Sequence, residues 1–390
     1  MIRLQIDLER PGAADGLYTV RAGGSLMAGL WWADENGPLP DWTAFAFVPV
    51  DPAGRGLFRF TGGRAVPREA THVFLRAVRP DMTAEEALVP LPDRRPAPPA
   101  EGAVRLGFIT DLHLSGKLWQ VGRALSLAGT GDGVLCTGDM VNDGTAEQFA
   151  LLRRLIEDRL PPGTPMLAVA GNHDFPPQPD AGERYHALQD CLLDRAERLG
   201  LAVDRDGSGA WAAGLGDLDI IGLNAAGPGR KLAFQKQGQL PWLDRHLADR
   251  PAAWHIVLCH GPLLAHNPQR RRPNDMPYFS RDGQLQRIIQ DHRNILFLSG
   301  HTHISVNCLA GCVETDRERN ILYINGGSVR ATTLKPEEPL QDREWTQGNM
   351  FWLDLAPGFA EITAVSLASG KRIARGYYRF DEPERLARLG

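Results

Sequence analysis

Ile295-Leu296-Phe297-Leu298, followed after Ser299 by Gly300-His301-Thr302-His303, decides how the chain is read. Four apolar residues in a row predict a short buried strand. At its end the chain turns at a glycine and presents two histidines one residue apart. Alternate residues of an extended segment share a face, so both imidazoles can point into one site. Imidazole is the commonest metal-ligating side chain near neutral pH. Alone, a His-x-His pair carries little weight. It gains weight because other apolar runs of the chain also end in metal-binding side chains.

Four such runs precede it. Val104 to Ile109 leads into Thr110-Asp111-Leu112-His113, and Gly133 to Cys136 into Thr137-Gly138-Asp139. Met166 to Ala170 leads into Gly171-Asn172-His173-Asp174, and His255 to Cys259 into His260-Gly261-Pro262. Leu218 to Leu223 is a further strand. Helical patterns fall at Val121 to Ala128, at Ala146 to Arg159, over 181–199, at Gln237 to Leu247 and at Gly283 to Gln290. The second of these puts Phe149, Leu152, Leu155 and Ile156 on one face. Alternating strands and helices predict an α/β core, in which functional groups collect at strand ends. After Gly311 the candidates are strands again: Ile321 to Asn325, Met350 to Leu355 and Glu361 to Val365, expected to complete a second sheet. The last ten residues read as a short helix or a frayed tail.

Residues 1–90 have a different grammar. Ile2, Leu4, Ile6 and Leu8 alternate with polar residues, as do Phe45 and Phe47, and Val73, Leu75 and Ala77. Turn signals such as Glu35-Asn36-Gly37-Pro38 and Asp51-Pro52-Ala53-Gly54 separate them. This predicts a small all-β sandwich. It holds no cluster of site-type residues, so it reads as a structural or assembly module, through which a homo-oligomer could form. Residues 91–102 include Arg95-Pro96-Ala97-Pro98-Pro99, and proline this dense favours an extended spacer. The catalytic domain is therefore expected over 103–380.

Composition narrows the function classes. At 390 residues, 43% apolar and 23% charged, the chain can build a sizeable core in two domains. A net charge of -4 gives no nucleic-acid-binding signature. No apolar stretch approaches bilayer-spanning length, and the first residues lack the apolar core of a secretory signal. The expectation is a cytoplasmic protein. The five cysteines show no framework spacing. Cys136 and Cys259 sit in apolar runs as buried thiols. Cys308 and Cys312 read as reduced thiols near a turn rather than a disulfide or a zinc site.

Seven side chains thus stand at five strand ends: Asp111, His113, Asp139, Asn172, His260, His301 and His303. Seven nitrogen or oxygen ligands exceed the need of one tetrahedral ion. They suit two ions sharing a carboxylate, and two ions roughly 4 Å apart can clamp the attacking and leaving oxygens of a phosphoryl transfer. An N/O ligand set suits Mn, Fe or Zn.

Asp111-x-His113, Gly138-Asp139, Gly171-Asn172-His173-Asp174, His260 and Gly300-His301-x-His303, in this order, resemble the calcineurin-like metallophosphoesterases. The resemblance covers about residues 104–330. It implies a four-layer αββα sandwich and a dinuclear metal-dependent phosphoesterase acting on a small phosphoester. It further implies that Asp111, His113 and His303 hold one ion, that Asn172, His260 and His301 hold the other, and that Asp139 bridges them. His173 would contact the phosphate and act as general acid, with Asp174 or Asn142 orienting it.

Two departures narrow the resemblance. Purple acid phosphatases also carry a β-sandwich ahead of the catalytic domain. They, however, have a tyrosine ligand shortly after the second-block aspartate and lack the first-block histidine; here Met140-Val141-Asn142-Asp143 follows Asp139 and His113 is present. The Asp-Arg pattern of the Ser/Thr protein phosphatases is absent too. The first two blocks are most similar to bacterial class III cyclic-nucleotide phosphodiesterases, so a phosphodiesterase is expected. The rivals are a phosphomonoesterase on the same scaffold and a metal-binding scaffold without catalysis. Outside the blocks, Arg270-Arg271-Arg272 reads as a solvated loop. His266, Asn267 and the Gly326-Gly327-Ser328 turn are weaker site candidates.

Overall fold

The computed structural model of the chain describes residues 2–8, 16–34, 37–39, 44–60, 70–91, 103–115, 118–176, 192–234, 238–269, 275–304, 312–316, 318–330, 348–367 and 372–379. Two compact units divide the chain, Met1–Glu101 with Arg375–Gly390 and Gly102–Ala374.

The first unit is built of antiparallel strands. Arg3–Leu8, Gly16–Arg21 and Arg55–Phe60 form one sheet. Met27–Asp34 pairs with Gly37–Pro38, Ala46–Pro49 and His72–Val78 in another, and Ala84–Pro90 follows His72–Val78. The alternation predicted for Val73, Leu75 and Ala77 is realised: these are buried, while Arg76 between them is exposed. Tyr18, Val20, Leu30, Trp32, Val48, Phe60, Val73 and Leu75 share one core between the sheets. Trp32 stacks on Phe45 with centroids 4.0 Å apart. Two sheets over one apolar layer are a β-sandwich.

The second unit contains two mixed sheets. Of the six-stranded sheet, this unit holds Met166–Ala168, Gly133–Cys136, Val104–Ile109, Asn349–Ala356, Phe359–Ser366 and the first residues of the strand that begins at Arg372. The seven-stranded sheet runs Val203–Arg205, Trp211–Leu215, Leu218–Leu223, Trp254–Cys259, Ile295–Ser299, Ile321–Asn325, Val313–Asp316. Within each, the strands that carry ligand candidates pair in parallel, because helices cross over between them. Helices Leu118–Ala128 and Ala146–Arg159 pack on the first sheet through Val121, Leu125 and Leu152. Helices Gln239–Asp249 and Asp282–Asp291 pack on the second through Leu243, Leu285 and Ile289. Most central strand residues are buried on both faces. The faces turned from the helices meet sheet to sheet: a side chain on Gly326, beyond Ile321–Asn325, would strike the Phe108 ring of the other sheet. Helix, sheet, sheet and helix make the four layers expected.

Several expectations need correction. The late strands do not all complete one second sheet. Ile321–Asn325 joins the seven-stranded sheet, whereas Asn349–Ala356 and Phe359–Ser366 join the six-stranded one beside Val104–Ile109. Apolar runs show that a strand is buried but not which edge it extends. The strand from Met166 stops at Ala168, because the Ala170 amide turns to the side chain of Asn224. The first helix starts at Leu118 rather than Val121. The hairpin Trp211–Leu215 with Val203–Arg205 went unread, its small residues giving no strong alternation. Of the helix expected over 181–199, 192–198 is helical, and 181–191 lie outside the described residues. Arg270-Arg271-Arg272, Cys308, the Pro-rich spacer and the last ten residues also lie outside them, as does the expected helix start at Gln237. Among the described residues, no helix is long and apolar enough to cross a membrane.

Candidate metal centre

All seven side chains converge just beyond the C-terminal ends of their strands. The glycines of the motifs explain how. Gly138 has φ +103°, and a Cβ there would strike the backbone of Gly171, while a Cβ on Gly171 would strike Asp139. The two turns therefore pack backbone against backbone, which only glycine permits. Five of the nine described non-glycine residues with positive φ are Asp111, His113, Asp139, His301 and His303. Such left-handed conformations cost free energy, about 1 kcal/mol or more each, and persist where surrounding structure enforces them.

Each carboxylate has one oxygen tied down and one aimed inward. Asp111 Oδ2 accepts from Thr110 Oγ1 at 2.7 Å and from the His301 amide at 2.9 Å. Among the described residues its Oδ1 is buried with no aligned donor, yet lies 3.0 Å from His303 Nε2 and 3.8 Å from His113 Nε2. Asp139 Oδ1 accepts the His173 amide at 2.7 Å. Its Oδ2 faces His260 Nε2 at 3.3 Å and His113 Nε2 at 3.5 Å. The His260 ring is fixed from behind, its Nδ1 2.7 Å from the Thr137 carbonyl oxygen. Its Nε2 is 3.2 Å from Asn172 Oδ1.

Two groups that could each hold a metal ion result. Asp111, His113, Asp139 and His303 bring their donor atoms within 4.8 Å of one another, and so do Asp139, His260 and His301. Asp139 belongs to both, and Asn172 adjoins the second through His260. His113 Nε2 and His303 Nε2 stand only 3.0 Å apart. Imidazole nitrogens this close, beside a buried carboxylate oxygen with no aligned donor, fit a shared cation: all offer lone pairs, and none is a soft thiolate.

The electrostatics agree. Burial alone would raise the Asp111 carboxyl, but His113 and His303 hold it well below the usual carboxylate range. Burial opposes the charge of His260 too, yet Asp139 beside it raises that imidazole to about 9. His301, with burial and then the neighbouring His260 acting against its charge, is pushed down to about 4.

His173 stands beside the groups rather than in them. Its ring meets His113 edge-on, with centroids 4.7 Å apart. Its Nδ1 lies 2.9 Å from the backbone carbonyl oxygen of Asn142. A ring that donates from Nδ1 presents Nε2 on its other side, where a protonated ring also offers an N–H. Burial first of all lowers its affinity for a proton. Of the two orienting candidates, Asn142 acts through its main chain. Asp174 spends its oxygens on the amides of Val141, 2.9 Å, and Gly171, 2.8 Å, and so shapes the turn instead of holding the ring. Burial, then Asp139, raises Asp174 to about 7. The Asn142 loop is itself braced: Asp143 and Gln148 exchange two hydrogen bonds, and Thr145 caps the helix that follows.

The weaker candidates separate. His266 stacks on Tyr323 with centroids 3.5 Å apart, and its Nδ1 meets Glu314 at 2.7 Å, so its ring serves that cluster. Asn267 is buried, its Oδ1 accepting the Gln269 amide. Ser328 Oγ donates to the Asp111 carbonyl, 3.0 Å, which puts the Gly326-Gly327-Ser328 turn against a candidate ligand. Three residues near the centre went unread in the sequence: Tyr278, whose ring meets His301 at 4.5 Å, and Arg230 and Arg330, which both reach Asn142. None lies in a motif block, and only the folded chain brings them there.

Residues 104–305 match the family model described as calcineurin-like phosphoesterase. A probable cyclic nucleotide phosphodiesterase of Synechococcus sp. is 26% identical over 238 residues, 57% of this chain and 77% of that protein. The 3',5'-cyclic adenosine monophosphate phosphodiesterase CpdA of Escherichia coli K12 is 27% identical over 218 residues, 52% of this chain and 70% of that one. Among solved structures, the purple acid phosphatase PPD1 from yellow lupin seeds aligns with TM-score 0.50 and 13% identity, covering 97% of this chain and 74% of that one. At that identity the likeness is one of fold.

Proposed function

Because the chain belongs to the calcineurin-like phosphoesterases, we propose that it hydrolyses a phosphodiester, with cyclic nucleotides as candidate substrates, at a centre of two metal ions. The observation that carries this is Asp139, common to both ligand groups. One group would be Asp111, His113, Asp139 and His303; the other Asp139, Asn172, His260 and His301. When bound, the ions supply a polarised water and neutralise charge at phosphorus.

The chain's own residues do the rest. The turn from Gly171 places His173 beside the centre, and the Asn142 carbonyl fixes its ring. Hydrolysis adds water across one P–O bond: the water oxygen ends on phosphorus, and the departing alkoxide takes a proton. Protonated His173, its Nδ1 held by Asn142, would deliver that proton from Nε2, which suits an alkyl leaving group that departs poorly as an anion. The phosphodiesterase names of the two relatives support a diester substrate.

The test is turnover of a substrate panel by enzyme loaded with Mn, Fe or Zn. Phosphodiesters, 3',5'-cyclic AMP among them, are expected to turn over with higher kcat/KM than phosphomonoesters. Preference for monoesters would overturn the diester assignment, and no turnover with both ions bound would overturn catalysis itself.

A further inference from the structure

Two arginines from distant parts of the chain meet at the loop that holds His173. Arg230 Nη2 lies 3.3 Å from the Asn142 carbonyl oxygen, the same atom that His173 Nδ1 meets. Arg330 Nη1 lies 3.4 Å from the Asn142 side-chain oxygen. Arg330 is also hung on the centre itself, because its amide donates to the Asp111 carbonyl at 3.3 Å. Arg230 is anchored from its own side by the carboxylate of Asp143, 2.8 Å away.

Among the described residues, these contacts use only part of either guanidinium. Each has five N–H donors in a planar fork suited to phosphate oxygens. Arg230 makes its described contacts through Nη2 alone, and its side chain is 37% exposed. Arg330 is half-buried and, among the described residues, has no carboxylate partner. Among the described residues, two guanidiniums stand against one carboxylate at this rim beside His173.

The scissile phosphate does not require that charge. In the dinuclear reading, two divalent ions set against the carboxylates of Asp111 and Asp139 already leave a formal charge of about +2. A phosphodiester and the attacking hydroxide together bring two negative charges, which that charge already matches. Arg230 meets the Asn142 carbonyl on the Nδ1 side of the His173 ring and Arg330 meets the Asn142 side chain, so both guanidiniums flank the loop that holds the residue facing the departing oxygen in that reading. We propose that Arg230 and Arg330 form an anion subsite for a second phosphate carried on the leaving alcohol, so that the favoured substrates are phosphodiesters whose leaving group is itself phosphorylated, such as a phosphorylated nucleoside. This rests on the phosphodiesterase reading above and selects within it.

The test compares pairs of probes that differ by one phosphate. For metal-loaded wild type, Arg330→Gln and Arg230→Gln, kcat/KM is measured on a linear dinucleotide with and without a phosphate on the leaving nucleoside. In parallel, calorimetry gives the Kd of adenosine 3',5'-bisphosphate and of adenosine 5'-monophosphate. Wild type is expected to favour the doubly phosphorylated member of each pair. Losing one charge-assisted phosphate contact should reduce that preference about 10–100-fold in each variant. Arg330→Lys, which retains a cation, should keep part of it and controls for folding. Equal loss on both members of a pair would mean that the arginines serve only the scissile phosphate or the His173 loop, and would overturn the subsite. No preference in wild type would overturn it as well. The binding pair reads the subsite even if neither dinucleotide is cleaved, which separates its failure from that of the phosphodiesterase reading.

Discussion

Replacing His173 by alanine should cost activity in proportion to how poorly the leaving group departs, and should cost little else. The ring makes a hydrogen bond at 2.9 Å to the Asn142 carbonyl and an edge contact with His113. Losing one hydrogen bond of this kind costs about 1 kcal/mol of stability. The contact that matters for the ligands is the His173 amide donating to Asp139 Oδ1 at 2.7 Å, and alanine keeps it. Metal content should therefore survive. A positioned general acid contributes about 10²–10⁴-fold, and that whole factor applies to an alkyl diester, whose alkoxide needs the proton. A nitrophenolate leaves without it, so the variant should lose much less on a nitrophenyl diester. The assay is kcat on both diesters at one pH, with metal content and thermal midpoint measured on the same preparation. Equal losses on the two substrates, with metals in place, would refute the general-acid role. Loss of metal would make His173 a support of the ligands.

Two further outcomes follow from the structure. Asp139→Ala should strip more metal than Asn172→Ala, because Asp139 serves both ligand groups; equal losses by elemental analysis would contradict bridging. Away from the centre, Asp219 lies buried against His255 at 2.8 Å and His246 at 3.0 Å. Burial alone would raise its carboxyl, but the two histidines hold it at about 2. A depressed folded pKa means stability that is present above the unfolded value, 3.8, and lost as pH falls through about 2, amounting to about 2 kcal/mol. Urea unfolding at a series of pH values should show this component between pH 4 and 2 in wild type; if Asp219→Asn retains it, the assignment to Asp219 fails.

The site is easier to read in the sequence than the sheets that hold it. Strands such as Ile295–Ser299 and Trp254–Cys259 are buried on both faces, so they appear as unbroken apolar runs, and the polar residues that follow stand out. Glycines at 138, 171 and 300 mark the close approaches that bring those ends together, and their steric role is local enough to be legible. Sheet membership is not local. Asn349–Ala356 pairs with Val104–Ile109 across some 240 residues, a choice of edge that no short pattern encodes. The orienting contact of His173 is hidden for another reason: it uses the Asn142 carbonyl, and every residue has one. Arg230 and Arg330 stand 88 and 188 residues from Asn142, in segments with no motif, so only folding reveals them.

The central claim is a pair of ions bridged by Asp139, and the number of metal ions per chain tests it most directly. Purified protein reconstituted with Mn, Fe or Zn and freed of excess metal should saturate near two ions per chain by elemental analysis. Saturation at one, with all seven side chains intact, would contradict the dinuclear account.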